Sequence, residues 1–250
     1  MLCTESADHR ERPGIGHVVK LAQGSDGAAA LISEVICTRL IAAGGLNVLD
    51  GRFVMAGPAF ATANQIEEGR YYGTVRRFDV VDGPPEKLDV LADPREIVDL
   101  WAFDSWLATI DRNTYGNILL ERADAEHFRV IAADQSDCFG GAGALASGRW
   151  QAALAKNSPA ESVAFLQQAI FQCGRLLALT AAIERVEQAA QQLDQAFDLV
   201  PQEWWKRAGI PRPHEIRDAL AARARRLRDI LRVGQWEELD DDDFRGAYLL

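Results

Sequence analysis

Trp106-Leu107-Ala108-Thr109-Ile110-Asp111-Arg112-Asn113-Thr114-Tyr115-Gly116-Asn117-Ile118-Leu119-Leu120 is the stretch on which the reading of this chain turns. Apolar residues at helical spacing lead into it: Ile97, Leu100, Trp101 and Leu107. Asp93-Pro94-Arg95-Glu96 starts that helix with an oxygen-bearing cap, a proline at the first helical position and a glutamate three residues after the cap. The helix should run toward Thr109. A polar turn then stops it, and residues 117–120 open a strand. A second apolar run, 128–132, follows across the polar turn 123–126, so the two predict a hairpin.

A hairpin places the end of its second strand beside the turn that starts the first. Asp134, two residues past the second run, should therefore face Asp111 and Asn117 across one small space. Phosphoryl transfer uses such a set: a carboxylate beside the attacking hydroxyl, and oxygen ligands for magnesium. Magnesium takes hard oxygen ligands, commonly one or two carboxylates with phosphate oxygens.

Upstream, His17-Val18-Val19-Lys20-Leu21 reads as a short strand after the Gly14-Ile15-Gly16 turn. Gly24-Ser25-Asp26-Gly27 breaks the chain. A helix over 28–43 follows, with Leu31, Val35, Ile36, Leu40 and Ile41 on one face, and Gly44-Gly45 ends it. Residues 52–56 look like another strand. From 57 to 93 the pattern is weak and punctuated by Gly69, Gly73, Gly83, Pro84 and Pro85, which predicts loops and short strands. After Gly143 the chain turns helical. Ser158-Pro159-Ala160-Glu161 repeats the helix-start signal, and helices are expected over 159–172, 175–198 and 213–232, with Gly234 ending the last.

Phe103-Asp104-x-Trp106, Asp111-Arg112, Gly116-Asn117-x-Leu119 and Ile131-x-x-Asp134-x-Ser136-x-Cys138-Phe139 together resemble the catalytic segment of HipA-like kinases. More distantly they are similar to the lipid-kinase branch of the protein-kinase-like fold. The resemblance implies Asp111 as catalytic base, with Asn117 and Asp134 as magnesium ligands. It also implies a strand lysine on the ATP phosphates and a helix glutamate that holds it. Val18-Val19-Lys20 and Leu31-Ile32-Ser33-Glu34-Val35 match these two. The implied fold is α+β and two-lobed, with a reduced N-terminal lobe (1–90) and a mostly helical C-terminal lobe (91–250). The implied reaction is ATP- and Mg2+-dependent transfer to a serine or threonine of a protein, the enzyme itself included. In some relatives such a kinase is the toxin of a toxin–antitoxin pair. No helix-turn-helix stands out here, so an antitoxin or regulator is expected as a separate protein. The turn from Asp111 to Asn117 is one residue longer than the family's usual spacing, which makes Asn113 a second candidate for the ligand position. The resemblance covers about residues 14 to 140.

Each residue also has a plainer reading. Asp111 suits an ordinary turn, Asn117 a hairpin, Asp134 the cap of the next turn, and Lys20 and Glu34 a solvated surface. Two other functions fit the same residues: a nucleotide-binding or scaffolding module without turnover, and a small-molecule kinase.

The formal net charge of −10 and pI near 4.9 argue against broad electrostatic binding to nucleic acid or anionic membrane. No apolar stretch is long enough to span a bilayer, and 1–12 lacks an apolar leader core, so a cytoplasmic protein is expected. The spacing of Cys3, Cys37, Cys138 and Cys173 matches neither a disulfide framework nor a zinc site, and the histidines are scattered. Reduced thiols and no zinc are expected. Trp204-Trp205 suits either core packing or a partner surface. Arg217, Arg223, Arg225, Arg226, Arg228 and Arg232 make the last predicted helix basic, ahead of an acidic tail from Glu237 to Asp243 that could fold back on it.

Overall fold

The computed structural model describes residues 2–4, 16–20, 24–75, 79–114, 116–163 and 165–238. Its centre is helix α1, Gly24–Ala43. The sequence predicts one apolar face for this helix, yet Ala28, Leu31, Ile32, Ser33, Glu34, Val35, Ile36 and Cys37 are all buried. The reason is enclosure. A sheet lies on one side of α1 and four helices close the others. A helix surrounded in this way loses the polar stripe that a surface helix keeps.

The sheet contains β1 (Leu2–Thr4), β2 (Gly16–Lys20), β3 (Gly51–Ala56) and β4 (Gly69–Val75), in the order β1-β2-β4-β3 with antiparallel neighbours. Strand β4 falls in the weakly patterned region. Tyr71 and Tyr72 favour a strand, but Gly69 and Gly73 dilute the signal. Between β3 and β4 lies a short helix, α2 (Pro58–Asn64), which the sequence reading did not anticipate. In the β2–β4 register Lys20 sits opposite Tyr72.

A second sheet is three-stranded: β5 (Val80–Asp82), then the hairpin β6 (Ile118–Arg122) and β7 (Phe128–Ala132). The hairpin forms where expected, with Leu119 opposite Ile131. The Ala132 N–H donates to the Asn47 carbonyl at 2.9 Å, which joins the hairpin to the segment after α1. Helix α3, Arg95–Leu107, begins as predicted: Asp93 Oδ1 accepts the Arg95 N–H at 3.0 Å. It stops at Ala108, whose left-handed φ of 52° turns the chain.

The remaining helices are shorter than expected. They are α4 (Ala142–Ala146), α5 (Trp150–Ala155), α6 (Leu166–Gln172), α7 (Arg175–Ala190), α8 (Leu193–Asp198), α9 (Gln202–Arg207), α10 (Pro213–Arg225), α11 (Leu227–Ile230) and α12 (Val233–Glu238). Ser158-Pro159-Ala160-Glu161 does not start a helix. Ala160 donates its N–H to Ser105 Oγ at 2.9 Å and accepts from Trp101 Nε1 at 3.2 Å, so α3 captures the backbone groups a helix would use. The predicted 175–198 helix breaks after Ala190, and 213–232 breaks at Arg226. Gly234 lies inside α12 instead of ending a helix; the turn before α12 is made by Arg232 at φ 53°.

Trp204 and Trp205 are buried, which removes the partner-surface reading. Trp204 Nε1 donates to the Arg70 carbonyl at 3.2 Å and its ring meets Phe53, while Trp205 stacks on Phe197. Arg207 pairs with Glu67 at 2.8 Å. Helix α9 thus fastens the first sheet to the helical part. Most of the acidic tail lies outside the described residues. Among the described residues no helix is long and apolar enough to cross a membrane. Cys37, Cys138 and Cys173 are free thiols.

Two positions test this packing. Gly44 sits where α1 approaches α3 and α7; a Cβ there would overlap the Phe103 ring and lie 3.2 Å from the Arg185 carbonyl oxygen. Gly44→Ala should cost about 1–3 kcal/mol by overpacking, read from urea unfolding. Glu96 is half-buried and accepts the Val130 N–H at 2.6 Å. Burial pushes its carboxyl up to about 7. A carboxyl raised by folding stabilises the fold below its unfolded pKa, and the contribution is lost as pH rises through the folded value. Glu96→Gln keeps the acceptor without the charge. It should melt above the parent protein at pH 8, with the difference closing by pH 5.

Candidate active site

Four pieces of chain meet at one place: the end of β2, the middle of α1, the turn between α3 and β6, and the loop after β7. Lys20 closes β2, and Glu34 lies on α1 with only 3% of its side chain exposed. The Lys20 ammonium donates to Glu34 Oε2 at 2.9 Å and also to Asp134 Oδ1. Glu34 Oε2 in turn accepts the Gln135 N–H at 2.8 Å. A buried carboxylate therefore holds the lysine from one side and the loop after β7 from the other.

Asp134 adopts a left-handed φ of 47°, a conformation that aspartate tolerates better than most residues. The turn brings both the Ser136 N–H (3.1 Å) and the Ser136 hydroxyl onto the same Oδ1 that meets Lys20. Burial would raise the Asp134 carboxyl, but the Lys20 ammonium and the Ser136 hydrogen bonds together outweigh it and hold the carboxyl below its ordinary value. Burial would lower Lys20, and the two carboxylates outweigh that, so the amine stays charged. Glu34 moves upward because its burial exceeds what Lys20 returns.

On the other side of the site, Asn117 Nδ2 donates to Asp111 Oδ2 at 2.8 Å and to the Asp111 carbonyl at 2.9 Å. The long turn is absorbed by two backbone bonds, Thr114 N–H to the Asp111 carbonyl and Asn117 N–H to the Thr114 carbonyl, with Gly116 at φ 87°. Asn113 is turned away and donates to the Ser162 carbonyl at 3.1 Å. Of the two asparagines, it is Asn117 that the fold brings to Asp111. Asp111 Oδ1 is buried with no hydrogen-bond partner. Burial, with the nearby Asp137 carboxylate, raises the Asp111 pKa.

Arg112 joins the two sides. Its guanidinium is buried and every N–H is used. It grips Asp104 bidentately at 2.8 and 2.9 Å. It also donates to the Asn117 carbonyl at 2.8 Å, the Ala133 carbonyl at 2.7 Å and Gln135 Oε1 at 2.7 Å. One planar cation thus fixes the catalytic-turn candidate, the hairpin strand and the loop of Asp134 relative to one another.

All five residues singled out from the sequence, Lys20, Glu34, Asp111, Asn117 and Asp134, come together here. Arg112 and Asp104 stood in the quoted motif without a role; the adjacency of Asp111 and Arg112 was the only hint. Asp137 was missed, although its spacing of three from Asp134 was visible. No family model and no curated protein matches this chain.

Arg112→Ala would strip the Asp104 carboxylate, the Ala133 carbonyl and Gln135 Oε1 of their arginine donor, while the Asn117 carbonyl keeps the Ala133 N–H. Removing one member of a buried ion pair costs about 3–5 kcal/mol. Urea unfolding should show a loss of that size, and Arg112→Lys should recover only a minor part of it because an ammonium lacks the planar fork.

Proposed function

We propose that this protein is an ATP- and Mg2+-dependent phosphotransferase with a two-lobed, HipA-like kinase fold, acting on a serine or threonine hydroxyl of a protein, itself included. The observation that carries the reading is the convergence of Lys20, Glu34 and Asp134 in one contact network, with Asp111 and Asn117 bonded to each other and linked to it through Arg112.

The donor set suits magnesium. Asp134 brings a carboxylate held in the charged form and Asn117 an amide oxygen, both hard ligands. The buried, unpartnered Asp111 Oδ1 marks a place prepared for a further polar atom. Asp134 and Asn117 would hold the ion. When bound there, magnesium would supply positive charge against the phosphates.

The protein groups then divide the work. Lys20, kept charged and aimed by Glu34, takes a phosphate oxygen. Asp111, oriented by the Asn117 amide, accepts the acceptor hydroxyl's hydrogen bond. Its raised pKa gives it a stronger pull on that proton than an ordinary aspartate has. The Arg112 network keeps both carboxylates in place, so little reorganisation is needed when the acceptor arrives.

Transfer from γ-labelled ATP with Mg2+, to the protein alone and to a cell lysate, tests the reading. Asp111→Ala should reduce labelling by about 100-fold or more while ATP binding persists. Asp134→Ala should weaken binding and abolish labelling. ATP binding that depends on Asp134 without any labelling would favour the non-catalytic module, and no ATP binding would overturn the proposal.

A further inference from the structure

An open cleft of about 640 Å3 begins at the catalytic-turn candidate, with Thr109, Ile110 and Asp137 at that end. Ile110 is an apolar side chain left 57% exposed beside Asp111. One wall is α5. Arg149 stands at its N-terminal cap and Lys156 at its C-terminal cap, and both line the cleft. Both side chains are exposed, and neither forms an ion pair with a described residue. Arg149 Nε meets only the Ser147 hydroxyl, at 2.9 Å.

Between the two cations the wall is low. Ala152 and Ala153 face the cleft, and Gly140 approaches so closely that a Cβ there would lie 2.6 Å from Ala153 Cβ. The wall is also held firmly. Arg223, buried beneath it, donates to the carbonyls of Ser105, Leu154, Lys156 and Ser158. A helix rises about 1.5 Å per residue, which puts the two caps about 10 Å apart. A polyproline II chain advances about 3.1 Å per residue with three residues per turn, so that distance is about three residues and residues three apart share one side.

Building on the phosphotransferase reading above, we propose that this cleft is the acceptor site and takes a polypeptide segment in the polyproline II conformation whose acidic side chains, three positions apart on one side of the hydroxyl residue, are read by Arg149 and Lys156. Main chain fits the low alanine and glycine floor. A hydroxyl at the Ile110 end enters beside Asp111, the next residue of the turn. The two exposed cations supply selectivity for charge, while Asp137 and Glu161, also in the lining, disfavour acidic residues next to them.

The test uses the full chain and short labelled peptides with one serine. Two glutamates three positions apart are placed on either side of it, with glutamine and lysine versions as controls. Fluorescence anisotropy measures binding, and labelled ATP measures transfer. Two exposed ion pairs should give the glutamate peptide about a five-fold preference in one of its two orientations. Arg149→Glu with Lys156→Glu should reverse it toward the lysine peptide; the milder Arg149→Gln with Lys156→Gln should erase it, and thermal melting checks that each variant is folded. Equal affinity for all three peptides, or binding to none, overturns the inference even if the protein labels itself. Charge-selective binding with no phosphate transfer keeps the cleft assignment and removes the kinase reading.

Discussion

The buried Arg112 guanidinium is the constraint on which the rest of this site depends. A charge in the protein interior is tolerated only when it is paired and its donors are used. Here the pairing and the geometry serve the same end. Asp104 comes from α3, the Asn117 carbonyl from the start of β6, the Ala133 carbonyl from the end of β7 and Gln135 from the next loop. To satisfy one cation, four chain segments must arrive together. Asp111 and Asp134 are neighbours of those segments, so their placement follows from the same requirement.

The four-stranded sheet contributes the matching half. Lys20 belongs to β2, far from Asp134 in sequence, and meets it only because α1 brings Glu34 between them. Glu34 Oε2 serves the ammonium and the Gln135 N–H at once. The loop after β7 is therefore held by Arg112 from below and by Glu34 from above. Such double anchoring explains how Asp134 keeps an uncommon backbone conformation, whose cost of about 1–3 kcal/mol the surroundings must outweigh.

What could be read in advance followed the local character of each signal. The start of α3, the hairpin and the short strand ending at Lys20 are local patterns, and each formed where expected. Residues 158–161 carry an equally good helix start, but Ser105 and Trp101 of α3 take the Ala160 backbone groups, and no local rule contains that competition. Strand β4 hid behind its glycines. The breaks at Ala190 and Arg226 depend on how α7, α8, α10 and α11 bend around α1 and α3. At the site, Asp111, Asn117 and Asp134 were legible from the turn and hairpin and the chemistry they suit, whereas Lys20 and Glu34 were legible only through a family resemblance. The roles of Asp104, Arg112 and Asp137 were not, since a guanidinium's partners are fixed by tertiary placement. For the same reason Asn113 and Asn117 could not be told apart until the turn between them was seen.

The burial of α1 through its middle has a mechanical consequence. Glu34 sits where the helix is pressed between the sheet and α4, α7, α8 and α9. Sliding or rotating that helix would drag a dozen close-packed side chains past their neighbours, and tightly packed interiors resist gradual deformation. Control by withdrawing the glutamate would thus amount to partial unfolding. A regulator of this protein would have to work at the periphery, by obstructing entry or by competing for the exposed cations on α5, and leave the interior alignment untouched.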